Sequence, residues 1–241
     1  MAETDKTKED NTFTEGRVLL FDKPLYWTSF DLVNKVRIMI KTSFGLKDLK
    51  TGHAGTLDPL ASGLMIICTG RATKKIETFR DLDKEYFATV HFGETTPSYD
   101  LETETDSKYP VEHITRETVE LVLESFIAEQ MQVPPLHSAK LVNGKRAYEY
   151  ARKGKKLELS PVNITIKEAE LISFGIPETK IRLLCSKGTY VRAFARDLGF
   201  ALKSGCYLSA LERSSIGSYK LQDAFTIEKF KNYLEQMKQI S

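Results

Sequence analysis

Apolar residues recur along this chain with two spacings, one typical of strands and one typical of helices. Residues 84–93 alternate between apolar and polar side chains, which predicts a half-buried strand. Short apolar runs between turn residues predict further strands at residues 17–21, 64–68, 162–173, 180–185 and 206–217. The strands at 162–173 and 180–185 surround Gly175-Ile176-Pro177, so they are expected to form a hairpin.

Helices are predicted where apolar residues lie three or four positions apart. Thr28 and Ser29 can cap such a helix, and its apolar face is formed by Leu32, Val36, Met39 and Ile40. A short helix is expected to end near Phe79. Longer ones are predicted at residues 116–128 (with Val119, Leu123, Phe126 and Ile127 facing inward), 190–203 and 225–237.

This order of strands and helices predicts an α+β fold with a central, mostly antiparallel mixed sheet and helices on its flanks. The 241 residues are enough for one large domain or two small ones. We expect a single domain over residues 12–241. Residues 1–11 are polar and acidic and lack periodicity, so we expect them to form a disordered tail.

The charge is distributed unevenly, although the net charge is only +2. Residues 1–15 carry five acids and two lysines, a net charge of −3, whereas residues 140–156 carry a net charge of +6. A basic block of this kind is often just a solvated surface, but it is also what a phosphate-binding arm would require. Composition alone leaves both interpretations open.

Cysteine, histidine and hydropathy patterns argue against several classes of protein. Cys68, Cys185 and Cys206 contain no CxxC pair, so we interpret them as reduced thiols in a cytoplasmic protein. The four histidines have no metal-ligand spacing, and we therefore predict no metal site. No apolar stretch approaches the length of a membrane span and the N-terminus does not resemble a signal peptide, so no membrane partner is expected.

A loop at residues 52–63, with the sequence GHAGTLDPLASG, is the strongest candidate for chemistry. Its three glycines and one proline are incompatible with a regular helix or strand. It leads into the apolar run 64–68 and carries one carboxylate, Asp58, before the rigid Pro59. A carboxylate held on a tight loop beside a sheet is a candidate catalytic group. Asp-Pro is also a common turn dipeptide, and local chemistry alone favours that second interpretation.

The same loop resembles the catalytic motif of the TruB-type pseudouridine synthases, the bacterial tRNA pseudouridine-55 synthases. Further matches extend from about Gly16 to about Gly217, which is nearly the whole chain. The resemblance implies the pseudouridine synthase fold. It also implies that Asp58 is the catalytic residue and that His53 helps to open the RNA loop.

Two shorter motifs next to this loop also match the family. Residues 23–29, KPLYWTS, resemble the family's KPxGxTS, but Tyr26 replaces the glycine. The turn must therefore differ in backbone shape or carry strain. Residues 69–74, TGRATK, follow the strand after the loop. The resemblance implies that Lys23 and Lys74 contact the substrate.

Three further motifs complete the resemblance. Tyr86 matches the tyrosine that stacks on the target base, although without the resemblance it would be an ordinary strand residue. Residues 185–192, CSKGTYVR, bring Tyr190 and Arg192 into the implied active site, with Arg192 paired with the catalytic aspartate. An arginine at a helix start opposes the helix dipole, which itself indicates an anionic partner. Leu211 is implied to support the uracil, with Arg213 beside it, but could equally be a core residue.

The basic segment resembles the family's thumb loop, which folds onto the T arm of tRNA and would span about residues 131–160. Basic residues interleaved with tyrosines suit phosphate contacts and packing. The candidate RNA-binding residues are Lys140, Lys145, Arg146, Arg152 and Lys153. The well-studied bacterial members continue into a C-terminal PUA domain, which we do not expect here.

The resemblance implies that the protein isomerises uridine 55 in the T loop of tRNA without a cofactor or metal. We also expect a monomer, although the sequence itself carries no signal for the oligomeric state. Asp58 would be the nucleophile, attacking either the ribose or the pyrimidine ring. Arg192 would keep it ionised, and Tyr86 would stack on the uracil. One alternative is a non-catalytic tRNA-binding or tRNA-folding protein on the same scaffold, which would not need these three residues. Another is a synthase within a guide-RNA complex, which the missing PUA domain and basic extensions disfavour.

Overall fold

The computed structural model describes residues 7–138, 140–142, 144–151, 153 and 157–240. Its helices are α1 Thr7–Gly16, α2 Ser29–Phe44, α3 Ile76–Arg80, α4 Arg116–Ser125, α5 Ala147–Ala151, α6 Val191–Ala201 and α7 Ile227–Ile240, with 3₁₀ turns at Gly70–Lys75 and Leu221–Asp223. The first strands are β1 Val18–Lys23, β2 Thr51–His53, β3 Ala61–Thr69, β4 Lys84–Phe92, β5 Glu94–Thr95 and β6 Ser107–Lys108. The others are β7 Glu129–Gln132, β8 Leu141–Val142, β9 Lys145–Arg146, β10 Val162–Ser173, β11 Glu178–Cys185, β12 Cys206–Ile216 and β13 Tyr219–Lys220.

The described residues form two compact units. The first consists of residues from 1–84 and 212–241, and the second of residues 85–211. Strand β12 contributes its second half to the first unit and its first half to the second. The expectation of a single domain over residues 12–241 stays a prediction.

The first unit is built around β3, whose side chains are almost all buried. Strand β1 pairs antiparallel with β3 along its full length, and β2 pairs antiparallel with the last three residues of β3. Because β3 is covered on both faces, its sequence is a continuous apolar run instead of an alternating one. The aromatic rings of Phe21 and Phe230 meet edge to face, which packs α7 against β1.

Helix α2 is fixed at both ends by local chemistry. The Thr28 side chain accepts the amide hydrogen of Asp31, and the Asp31 carboxylate accepts the amide hydrogen of Thr28 in return, which forms a complete capping box. At the other end Gly45 adopts a left-handed conformation, with φ of +67°, which ends the helix. The predicted apolar face is buried at Leu32, Val36 and Ile40.

The second unit contains the strand order β12-β4-β11-β10-β7. Strands β10 and β11 form an antiparallel hairpin with two register shifts, and β7 pairs antiparallel with the start of β10. Side chains of β4 alternate between buried and half-buried positions, as its sequence predicts. The ring of Phe126, the residue that follows α4, meets the ring of Phe194 on α6 edge to face.

Most predicted elements are present, and the α+β class is confirmed, with antiparallel pairing between β1 and β3, between β10 and β11, and between β7 and β10. The prediction of a disordered tail is wrong for residues 7–11, because α1 begins at Thr7. Residues 1–6 lie outside the described residues. Ile127 was expected to face inward but is exposed, since α4 ends before it at Ser125. Among the described helices, none combines the length and apolarity needed to span a membrane.

Candidate functional site

The loop that carries Asp58 connects β2 to β3 in the first unit. The ladder between these strands continues one residue beyond β2, because the amide of Ala54 donates to the carbonyl of Ile66 at 3.0 Å. After Asp58 the chain turns sharply, since the amide of Ala61 donates to the Asp58 carbonyl at 3.1 Å. The half-buried Asp58 side chain is thus held on a short, hydrogen-bonded connection.

Helix α2 anchors this loop through the hydroxyl group of Ser29. The Ser29 hydroxyl accepts the amide hydrogen of Leu57 at 2.8 Å and donates to the Leu57 carbonyl at 2.9 Å. Both backbone groups of Leu57 are therefore satisfied although the residue is buried. The backbone immediately before Asp58 is consequently fixed to the first turn of α2.

Arg213, which lies on β12, holds the loop from the other side. Its guanidinium donates to the carbonyls of Leu64 at 2.7 Å, Gly55 at 3.2 Å and Thr56 at 3.4 Å, and the residue is 1% exposed. Gly63 has φ of +106°, and a Cβ there would collide with the Arg213 backbone. Arg213 is therefore a positioning residue for the loop, and its direct contact with substrate stays a prediction.

Lys23 places a buried positive charge near Asp58. It is 0% exposed, and its ammonium group donates to the carbonyls of Pro24 at 2.9 Å and Trp27 at 2.7 Å. Burial lowers the pKa of Lys23 to about 8, and the negative charge of Asp58 partly opposes this shift. Lys23 is thus largely protonated at pH 7, and its charge attracts the carboxylate of Asp58. A direct substrate contact by Lys23 also stays a prediction.

His53 and Lys74 differ in their environments. Burial lowers the pKa of His53 below its ordinary value of 6.5, so the imidazole is mostly neutral at pH 7. A neutral ring suits a stacking role better than a charged one would, because it costs less to desolvate. Lys74 lies exposed in the 3₁₀ turn Gly70–Lys75, where its charge is accessible to an anionic ligand.

In the second unit Arg192 is buried at the start of α6. Its guanidinium donates to the carbonyls of His137 at 2.8 Å and Ser98 at 3.3 Å, and it forms an ion pair with Asp100 at 3.4 Å. Arg192 and Asp100 are 6% and 5% exposed. The anionic partner that the helix dipole argument required is therefore present as Asp100. The implied pairing of Arg192 with Asp58 joins residues of different units and stays a prediction.

The side chain of Gln132, which no sequence motif singled out, positions Tyr190. Its amide oxygen accepts the Tyr190 amide hydrogen at 2.8 Å, and its amide nitrogen donates to the Tyr190 carbonyl at 3.2 Å. Tyr190 precedes α6 and has no side-chain cap of its own, so the buried Gln132 fixes the helix start. Tyr86 is buried on β4, and Leu211 is half-buried on β12.

The basic segment presents its charges to solvent over most of its described part. Lys145 and Arg146 form the exposed strand β9, which pairs with β8, and Lys153 is exposed as well. Lys140 differs, because its ammonium group donates to the Ser160 carbonyl at 2.7 Å and so ties the start of the segment to the chain just beyond its end. Arg152 lies outside the described residues.

Cysteines and metal-ligating side chains add no second reactive centre to the part of the chain that the structure describes. The thiols of Cys68, Cys185 and Cys206 are free and buried. Burial raises the pKa of Cys68 to about 11, which keeps it protonated and poorly nucleophilic. No group of three or more His, Cys, Asp or Glu side chains among the described residues could hold a metal ion.

Comparison with protein families places the chain close to RNA-modifying enzymes. Residues 41–191 match the family described as TruB family pseudouridylate synthase (N terminal domain). The protein called tRNA pseudouridine synthase B from Phocaeicola vulgatus is 56% identical over 224 residues, covering 93% of this chain and 95% of that protein. Proteins of the same name from Parabacteroides distasonis and Flavobacterium johnsoniae are 55% and 46% identical, covering 93% and 92% of this chain.

Solved structures show similarity at the level of fold. The Cbf5 complex with Nop10 from the archaeal box H/ACA sRNP contains a chain with a TM-score of 0.68 and 21% identity. A chain in a Cbf5-Nop10-Gar1 complex has a TM-score of 0.70 and 24% identity. The first match covers 98% of this chain and 59% of the solved chain, and the second covers 95% of this chain and 57% of the solved chain. The similarity confirms the predicted fold class.

Proposed function

Since this chain belongs to the TruB family of pseudouridylate synthases, we propose that it converts uridine 55 in the T loop of tRNA into pseudouridine. The observation that carries the proposal is the loop of Asp58. It presents one carboxylate near the buried ammonium group of Lys23, on a backbone fixed by Ser29 and Arg213. Chemistry that depends on one positioned carboxylate needs this rigidity.

The reaction is an isomerisation that neither gains nor loses electrons. The bond between ribose carbon 1′ and uracil nitrogen 1 breaks, the uracil turns, and a new bond forms from carbon 1′ to carbon 5. The proton on carbon 5 leaves, and nitrogen 1 takes up a proton. Asp58 acts as the nucleophile, attacking either the ribose or the pyrimidine ring, and is released when the product forms.

The residues of the second unit have supporting roles in this proposal. Arg192 stabilises the ionised carboxylate of Asp58, and its own orientation is supported by Asp100 and by two carbonyl groups. Tyr86 stacks on the uracil and later accepts the proton from carbon 5. Leu211 supports the opposite face of the base, and Tyr190 contributes a hydrogen bond to the substrate.

Access to the target requires base flipping, because uridine 55 is stacked and paired within the T loop. Extruding a base costs a few kcal/mol, which RNA contacts must recover. His53 occupies the space that the base leaves, and Lys74 and the basic residues between 140 and 153 bind phosphates. We further propose that the protein acts as a monomer in the cytoplasm and uses neither a metal nor a cofactor.

The test uses T-arm RNA with tritium on carbon 5 of its uridines. Tritium leaves carbon 5 only when that atom becomes the new glycosidic atom, so its release to water reports the reaction directly. The native protein is expected to release tritium. The Asp58→Asn variant keeps the shape of the side chain but removes its charge, and its rate of tritium release is expected to be lower by a factor of at least about 1,000. The alternative is a non-catalytic tRNA-binding or tRNA-folding protein, and tight binding by both proteins without release by either would establish it.

A further inference from the structure

Tyr26 adopts a backbone conformation that tyrosine rarely tolerates. Its φ of +67° lies in the left-handed region, where a Cβ crowds the neighbouring carbonyl oxygen. The corresponding position of the resembling family motif is glycine, which has no such penalty. The strain expected from the sequence is therefore real: the turn keeps the glycine-like backbone and bears a large side chain.

The side chain that causes this strain makes little use of the protein interior. Tyr26 is 74% exposed, so its ring contributes little to the hydrophobic core. Leu25 and Phe30 nearby are 44% and 69% exposed. Three large apolar side chains within six residues of sequence thus face solvent, and such a concentration of exposed apolar residues is a feature of interaction surfaces. Strain without a packing benefit points to a function for the ring.

The position of Tyr26 relative to the loop of Asp58 is fixed. Its amide donates to the carbonyl of Pro59 at 2.8 Å, and Pro59 directly follows Asp58. On its other side, the buried ammonium group of Lys23 holds the carbonyls of Pro24 and Trp27. The backbone of Tyr26, whose side chain is exposed, is therefore tied to the same short loop that carries the proposed nucleophile.

We propose that Tyr26 is a stacking platform for an unpaired base of the substrate RNA adjacent to the target uridine, and that Phe30 widens this platform. The inference rests on the proposed function. Any uridine that reaches Asp58 brings its neighbouring nucleotides past the turn of Tyr26. Bases splayed out of RNA loops stack on exposed aromatic side chains, whatever their sequence. A protein partner on this patch would compete with the RNA for the face that holds Asp58.

The experiment measures the affinity for T-arm RNA in the Asp58→Asn background, where no turnover occurs. Adding Tyr26→Gly is expected to weaken binding about 5- to 30-fold, whereas Tyr26→Phe keeps the ring and should stay within about twofold. Because glycine relieves the strain, Tyr26→Gly should also raise the midpoint of thermal unfolding by about 2 °C. Leu121→Ala, at a similarly exposed apolar residue of α4, is the control for lost apolar surface and should not change affinity.

A double-mutant cycle assigns the base. T-arm RNAs that each lack one base next to the target are compared on the Asp58→Asn protein with and without the Tyr26→Gly substitution. Removal of the stacked base should weaken binding only to the protein that retains Tyr26. Trp27 is the single tryptophan of the chain, so its fluorescence reports RNA arriving at this turn.

Several outcomes would overturn the inference while leaving the proposed function intact. One is tritium release by the native protein together with an unchanged RNA affinity of Tyr26→Gly. Another is that the loss of affinity caused by Tyr26→Gly is the same for every T-arm RNA that lacks one base as it is for the complete RNA. Self-association that Tyr26→Gly abolishes, with RNA affinity unchanged, would instead assign the patch to a second copy of the chain. Absence of tritium release by the native protein would contradict the proposed function itself.

Discussion

The loop of Asp58 and the basic segment at residues 140–156 solve different problems with opposite physical means. The loop is held by the buried polar side chains of Ser29 and Arg213, whose donors are directed at specific backbone carbonyls, and the turn beside it is held in the same way by Lys23. The basic segment instead presents exposed cations, such as Lys145 and Arg146. One region fixes a single carboxylate in place, and the other spreads charge over a surface.

The difference shows how positioning and attraction divide between structural environments. A buried cation that is removed leaves carbonyl groups unsatisfied, so changes at the loop are expected to affect folding and catalysis together. An exposed cation interacts with an anion through solvent and salt, so changes there are expected to affect binding alone. Three predictions test this division, beginning with the largest expected effect.

Arg213→Met removes the guanidinium and keeps much of the side-chain volume. The buried carbonyl of Leu64, on β3, and the part-buried carbonyls of Gly55 and Thr56, in the loop, then lose a donor, and an unsatisfied buried group costs about 1–3 kcal/mol. We therefore expect the free energy of unfolding to fall by about 3 kcal/mol or more, measured by urea denaturation, and tritium release to be lost. The same substitution at the exposed Arg71 is the control, with an expected effect below about 0.5 kcal/mol. Equal effects at the two sites would show that the loop does not depend on Arg213.

Raising the pH should make stability and activity change in opposite directions through Lys23. Its pKa is about 8 in the folded protein and near 10.5 when unfolded, so between these values the unfolded chain binds more protons. The destabilising contribution of Lys23 is therefore complete below pH 8 and disappears above pH 10.5. Between about pH 7.5 and 9.5, the native protein should gain about 2 kcal/mol relative to Lys23→Met in urea unfolding.

Activity should fall over the same range, because the ammonium charge near Asp58 is lost. Tritium release at saturating RNA, measured from about pH 7 to about pH 9.5, checks this part. If the difference in the free energy of unfolding between the native protein and Lys23→Met stayed constant over this pH range, Lys23 would not titrate in this window.

Neutralising the basic segment should give the smallest effect, confined to binding. Glutamine at Lys145, Arg146, Arg152 and Lys153 is expected to weaken T-arm RNA binding about 3- to 10-fold. It should also reduce the slope of log K against log salt by about 0.7–0.9 for each phosphate that the protein no longer neutralises. Neutralising the exposed Lys220, Lys229, Lys231 and Lys238 is the matched control. An unchanged salt slope, or a loss of stability, would contradict the division between the two regions.

The sequence by itself determined the elements whose signals are local. The apolar run of β3, the alternation of β4 and the capping residue Thr28 specify structure within a few residues, so periodicity and cap chemistry predicted them. The glycine-rich loop was predicted for the same reason, but it is shorter than the predicted residues 52–63, because Gly52 and His53 belong to β2 and residues 61–63 belong to β3. Asp58 itself became a candidate through resemblance, since Asp-Pro alone is also an ordinary turn.

Only the tertiary structure decided how distant residues serve the loop and the helix starts. Arg213 donates to a carbonyl 149 residues away, and Gln132 pairs with the backbone of Tyr190, 58 residues away. No periodicity encodes such contacts, because each depends on which backbone groups remain unsatisfied after the strands have paired. The short strands β2 and β7 were missed likewise, since their pairing depends on a neighbouring strand edge. The exposure of Tyr26, at 74%, was likewise decided by the tertiary structure around its turn.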